Sequence, residues 1–208
     1  MTGGKRTRKG REMKKQILLC DLDDVLNCFG DYWIPIYNEK SGDNLTVDRI
    51  TDWNLSRFVL PEWKEKIFSK EIVLQDGFFL NIPIKEYAVE FMEYCCQRLE
   101  TYIVSASYPE TVNDKAKWIM RNFPFFDIKR FIPCYDKFMI KGDLMVDDGV
   151  HNLETFDGLG LLMDRPWNRR HNKHARFYDL REVVEWLENY CSGKGSMKSE
   201  HTANNKHR

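Results

Sequence analysis

The chain has 208 residues, 42% of them apolar, and equal numbers of bases and acids, 32 of each. That length and apolar share suit one domain with a proper core, exclude disorder of the whole chain, and include no apolar run near the roughly 18 residues of a membrane span. The neutrality is uneven: seven bases and one acid lie in residues 1–15, four bases and one acid in 192–208, and the remaining 21 bases and 30 acids between them. An acidic body is a poor clamp for nucleic acid and a reasonable host for a cation.

Residues 1–15 and 192–208 read as basic, disordered tails. The basic start imitates the front of a signal peptide, but the apolar run behind it stops at Asp21, far short of an export segment, so a cytoplasmic protein is expected. Residues 16–22 read as a buried strand ending on acids. From 29 to 82 the pattern is irregular and rich in aromatics, with a short helix fitting 62–70 behind Pro61. This stretch is expected to be a small, mostly helical lobe inserted after the first strand, while 16–28 and 83–191 form the main body.

Residues 84–99 carry Tyr87, Phe91, Met92 and Cys95 at helical spacing, and 101–104 read as a strand leading to Ser105. Ser107, with Glu110 three positions on, can cap a helix running to about 122. Strands follow at 130–133, 144–146 and 159–163, with a short helix at 150–156. Asp179 and Glu182 open a last helix whose Val183, Val184, Leu187 and Tyr190 form one face. Alternating strands and helices imply an α/β fold with a doubly wound parallel sheet, in which ligands gather beyond the carboxyl ends of the strands. Asp21, Ser105 and Asp147 all stand at such ends, so they point at one pocket.

The six cysteines (Cys20, Cys28, Cys95, Cys96, Cys134 and Cys191) form no C-x-x-C pair and read as reduced core thiols rather than zinc ligands. The strongest local signal is Asp21-Leu22-Asp23-Asp24-Val25. Two carboxylates two positions apart just past a strand are costly together without a cation, although an acidic turn gives the same pattern. Asp147-Asp148 is a second acid pair at a strand end. Carboxylates converging from two strand ends suit a hard, oxygen-liganded ion such as Mg²⁺. Between the two pairs lie Ser105 and a lysine, Lys137 or Lys141.

In this order (Asp-x-Asp, strand-end Ser, Lys, Asp-Asp) residues 17 to 190 resemble the haloacid dehalogenase superfamily of aspartate-nucleophile phosphatases. More narrowly they resemble the 5′(3′)-deoxyribonucleotidases. The narrower likeness rests on Phe29 eight residues after Asp21, on Gly77-Phe78-Phe79-Leu80, on Lys137 ten residues before Asp147, and on Pro166-Trp167-Asn168. It implies a haloacid dehalogenase-like core with a helical cap at 29–82, and Mg²⁺-dependent hydrolysis of (deoxy)nucleoside monophosphates through an aspartyl-phosphate.

Carried over residue by residue, Asp21 is the nucleophile and Asp23 the acid and base. Ser105 and Lys137 bind the phosphate. Mg²⁺ is held by Asp21, the main-chain carbonyl of Asp23, and Asp148, with Asp147 orienting that shell. Phe29 and Trp53 are the candidates for stacking on the base. Tyr135 and Ala106 stand where the animal enzymes are expected to have Arg and Ser, so phosphate affinity and 3′-versus-5′ preference do not carry over, and Val73 stands where an aromatic contact is expected, so pyrimidine preference does not either. Asp24 reads as a turn acid, and His151, His171, His174, Arg165, Arg169 and Arg170 as solvated surface. The partner implied is a small nucleotide, without membrane or nucleic acid, and a homodimer is compatible with the reading. Two alternatives stand beside it: a phosphatase of nucleic-acid 3′ ends or another small phosphomonoester, and a non-catalytic scaffold of the same fold. A receiver domain carries its lysine last, and the order here excludes it.

Overall fold

A computed structural model describes residues 15–192; the expected tails at 1–14 and 193–208 lie outside the described residues. Strands β1 (Ile17–Cys20), β2 (Glu100–Ser105), β3 (Phe131–Pro133), β4 (Leu144–Asp147), β5 (Leu159–Met163) and β6 (Ala175–Phe177) form one sheet in the order β3-β2-β1-β4-β5-β6. All five pairings are parallel. The helices are α1 (Phe29–Ser41), α2 (Ala88–Arg98), α3 (Val112–Asn122), α4 (Val150–Glu154) and α5 (Leu180–Cys191). None among the described residues is long and apolar enough to cross a membrane.

The central strands are apolar on both faces, as a covered parallel sheet requires. In register, Leu18 pairs with Leu144 and Cys20 with Val146, and all four join Phe91, Trp118, Val183 and Leu187 in one core. The alternate residues Leu19, Met145, Leu162 and Val104 turn to the opposite face and pack with Leu153 of α4. The period of two along each strand thus sends successive side chains into two separate cores. Cys20 and Cys95 are core thiols as expected, but Cys191 is exposed and Cys28, Cys96 and Cys134 are half-buried.

A third cluster is drawn wholly from residues 33–82, with Trp33, Tyr37, Ile50, Ile67, Val73 and Phe79 among its members. The inserted segment therefore has a core of its own. Besides α1 it holds short 3-10 turns at Val47–Arg49, Leu55–Arg57, Pro61–Trp63 and Phe79–Asn81. No regular helix forms over 62–70. After Pro61–Trp63 the chain folds back, Val73 N–H donating to Ile67 O at 3.1 Å, and this buries Ile67, Ile72 and Val73 together.

One other boundary differs from expectation. Ser107 is no cap: its hydroxyl donates to Ser105 O at 3.1 Å, and α3 begins only after a 3-10 turn at Pro109–Thr111. At α5 the expected cap is present, with Asp179 accepting from Glu182 N–H at 2.9 Å. Glu182 in turn accepts from Tyr178 N–H, one residue before the cap.

Candidate active site

The sheet brings the acids together. Cys20 lies opposite Val146, and Asp21 N–H continues the ladder by donating to Val146 O at 2.9 Å, so Asp21 emerges beside Asp147. Asp21, Asp147 and Asp148 each present an oxygen within 4.8 Å of the others. The Lys137 ammonium sits between two of them, 2.7 Å from Asp21 Oδ1 and 2.7 Å from Asp147 Oδ2, with the side chain 3% exposed. Lys141, the other candidate, is exposed.

Asp147 is saturated. Beyond Lys137 it accepts from Gly149 N–H at 2.7 Å and from Asn152 Nδ2 at 3.1 Å to each oxygen. A Cβ on Gly149 would come within 2.9 Å of Asn152 Nδ2 and 3.0 Å of Asp147 Oδ1, so only glycine leaves this clamp undisturbed. Such an acid orients its neighbours better than it binds a ligand of its own.

Charge is poorly balanced here. Burial pushes the Asp21 carboxyl up to about 7, with Lys137 pulling it down and Asp147 and Asp23 adding to the rise. Burial, then Asp147 and Asp21, hold the Asp148 carboxyl well above the ordinary range. Burial would also depress the Lys137 ammonium, but Asp147 and Asp21 overcome it and raise that group above its usual value. Three buried carboxylates thus face one buried ammonium in direct contact with two of them. The Asp23 carbonyl accepts no hydrogen bond among the described residues. Carboxylate and carbonyl oxygens with excess negative charge are the donor set of a hard divalent cation, and the residues fit Mg²⁺.

Asp23 turns toward β2. Its Oδ2 receives the Lys115 ammonium at 2.5 Å and its Oδ1 receives Asn27 Nδ2 at 2.9 Å. Lys115 also donates to Ser105 Oγ at 3.0 Å and Ala106 O at 2.7 Å, and its ammonium lies 4.5 Å from the centre of the Phe79 ring. One lysine, 1% exposed, therefore ties Asp23 to Ser105. Sequence reasoning missed it. The available signal was its place in the stripe Thr111, Lys115, Trp118 and Ile119, all buried, where a charged residue needs a partner.

Asp24 is more than a turn acid. It is buried in a left-handed conformation (φ 59°), and its carboxylate accepts Gly30 N–H at 3.1 Å and pairs with Arg165 at 3.1 Å. Burial pushes this carboxyl up to about 6 against the opposing pull of Arg165. Arg165 is accordingly not a solvated loop residue. Arg169, on Asp164 and Asp48, remains at the surface. His151 is exposed, as expected, and stands edge-on to the Trp53 ring, 4.6 Å between centroids.

Above the acids lies a cavity of about 640 Å³. Asp21, Asp23, Asp148, Ser105, Lys115 and Lys137 line its polar end, and Phe29, Trp53, Val73, Phe79, Tyr108 and Tyr135 line much of the rest. Phe29 stacks on Phe79, with ring centroids 6.0 Å apart and 13° between planes, while Trp53 is 53% exposed. All the site residues expected from sequence face this one cavity except Asp147, which lies behind it.

The sequence family described as 5′ nucleotidase, deoxy (pyrimidine), cytosolic type C protein matches residues 15–190. A 5′(3′)-deoxyribonucleotidase of Clostridium acetobutylicum is 32% identical over 181 residues, covering 86% of this chain and 99% of its own length. One from Bacillus subtilis is 27% identical over 175 residues, covering 83% and 99%. Two solved structures share the fold: a hydrolase from Pseudomonas syringae (TM-score 0.58, 16% identity, 84% of this chain and 98% of that one) and a haloacid dehalogenase-like hydrolase from Streptococcus pneumoniae (TM-score 0.58, 10% identity, 83% and 98%).

Proposed function

We propose, from the premise that this chain belongs to the cytosolic type C deoxy(pyrimidine) 5′-nucleotidase family, that it releases phosphate from (deoxy)nucleoside monophosphates through a phosphorylated Asp21. The protein is a phosphoric-monoester hydrolase of haloacid dehalogenase type. The observation that carries the nucleotide reading is the meeting of Asp21, Asp23, Ser105, Lys137 and Asp148 at one end of a cavity lined elsewhere largely by aromatic and aliphatic side chains.

In this reading an Asp21 oxygen attacks phosphorus and the bond from phosphorus to the nucleoside oxygen breaks. Asp23 donates a proton to that departing oxygen. Water then attacks the phosphorylated Asp21, Asp23 takes its proton, and inorganic phosphate leaves with Asp21 restored. Ser105 and Lys137 meet charge on the non-bridging oxygens, with Lys137 held at Asp21 by Asp147. Asp21, the Asp23 carbonyl and Asp148 would hold Mg²⁺, which would screen the repulsion between a carboxylate and a phosphate dianion. Segment 29–82 acts as the cap, with Phe29 and Trp53 against the base, and the setting is cytoplasmic.

The test is phosphate release with Mg²⁺ from dUMP, dTMP and dGMP, their ribo- and 3′-counterparts, and a 3′-phosphorylated oligonucleotide. The expected preference is for mononucleotides. Preference for the oligonucleotide would replace the substrate class, and no release from any of them would favour the scaffold.

A further inference from the structure

The turn that follows β5 reaches into the site from the side. Trp167 Nε1–H donates to Asp148 Oδ2 at 2.9 Å. Its neighbour Asn168 donates to the Asp148 carbonyl at 2.9 Å and to Met163 O at 2.8 Å. Two successive side chains of one turn therefore hold the carboxylate and the backbone of the same acid. The turn is itself anchored: Arg165 N–H reaches Asn168 Oδ1 at 3.2 Å, Arg176 donates to Asn168 Oδ1 at 2.6 Å, and Arg165 pairs with Asp24.

An indole N–H is a donor only, and a neutral one. On Asp148 it fixes the plane of the carboxylate without neutralising it, whereas the ammonium on Asp147 takes up charge. The Trp167 ring also lines the cavity, edge-on to Trp53 with centroids 6.4 Å apart. We infer that Trp167 is a positioning residue for the cation, its N–H holding Asp148 so that the free oxygen is presented toward Asp21. This rests on the reading of Asp21 and Asp148 as cation ligands. Partners of metal-ligating groups set ligand orientation, and their loss typically weakens metal binding about 10- to 100-fold.

The experiment measures Mg²⁺ binding to the full chain without substrate, by calorimetry and by the Mg²⁺-induced change in tryptophan fluorescence. Trp167→Phe keeps an aromatic ring and removes the donor; Trp167→His keeps a ring N–H. The Phe variant should bind Mg²⁺ about 10- to 100-fold more weakly, with excess Mg²⁺ restoring turnover, and the His variant should recover part of that loss. The fluorescence response should vanish in Trp167→Phe and persist in Trp186→Phe, which lies on α5. Melting in EDTA should be alike for wild type and the Phe variant. Equal Mg²⁺ affinity in wild type and Trp167→Phe, or in the Phe and His variants, overturns the inference alone. A wild type that binds no Mg²⁺ overturns the cation reading as well.

Discussion

The two ends of the cavity are built on opposite principles. At the sheet, each acid has named partners at 2.5–3.1 Å: Lys137 on Asp21 and Asp147, Lys115 on Asp23, Trp167 on Asp148. In segment 29–82 the cavity wall is mostly aromatic and aliphatic, with Asp52, Asn54, Ser56 and Lys64 among its polar members, and its contacts to the main body there include ring pairs such as Trp53 with His151 and Phe68 with Tyr108. Charge-assisted hydrogen bonds are directional and fix geometry, while ring packing tolerates sliding. In the proposed reading, chemistry belongs to the sheet and substrate selection to the inserted segment. Mutation can test that division.

The largest effect belongs to Asp21→Asn, which should lower turnover by at least about 10⁴-fold while circular dichroism shows the fold unchanged. Normal turnover would remove Asp21 as nucleophile. Lys115→Met comes next, because it leaves Asp23 without its cation. We expect about 3 kcal/mol of lost stability in urea unfolding, at the low end for a buried pair because the Asp23 side chain is 22% exposed. We also expect turnover to fall about 100-fold. Unchanged turnover would make Lys115 a structural residue only.

Mg²⁺ at about 100 times its dissociation constant should stabilise the protein by about 2.7 kcal/mol, roughly 5–10 °C in melting temperature. The effect must depend on pH. The Asp21 carboxyl is raised from 3.8 to about 7, so in the metal-free fold the protonated form is favoured. Its contribution is complete below about pH 3.8 and is lost as pH rises through about 7. Mg²⁺ needs the ionised form, so its stabilisation should be small at pH 5 and grow toward pH 8. A pH-independent Mg²⁺ shift would place the ion elsewhere. The smallest effect is at the aromatic end. Trp53→Ala should raise KM about 10-fold, with kcat nearly unchanged and stability within about 0.5 kcal/mol. A fall in kcat alone would move Trp53 from selection to chemistry.

The legible parts were those with a local cause. The strand over 159–163 and the helix opened by Asp179 agree with their expected positions because a buried apolar run and a capping side chain act within a few residues. β6 was not legible: three residues at the sheet edge, Ala175–Phe177, carry too little periodicity to be seen. The helix expected over 62–70 gave way to turns because Ile67, Ile72 and Val73 join a cluster that Trp33 and Tyr37 complete from far along the chain. Lys137 could be placed by its spacing to Asp147. Lys115, Asn152 and Trp167 could not, since each reaches its acid only once two elements have packed.

What the sequence determined by itself was the fold class and the inventory of the site: strands ending on acids, a serine and a lysine, in an order that matches one superfamily. These are local or sequential features, carried by periodicity and spacing. Tertiary structure alone decided how the acids are shared out. Parallel pairing of β1 with β4 put Asp21 beside Asp147, and packing of the elements around them gave Lys137 to those two, Lys115 to Asp23 and Trp167 to Asp148. The physical reason is burial: several carboxylates withdrawn from water at one point must each find a donor, and which donor is within reach depends on packing between elements distant in the chain.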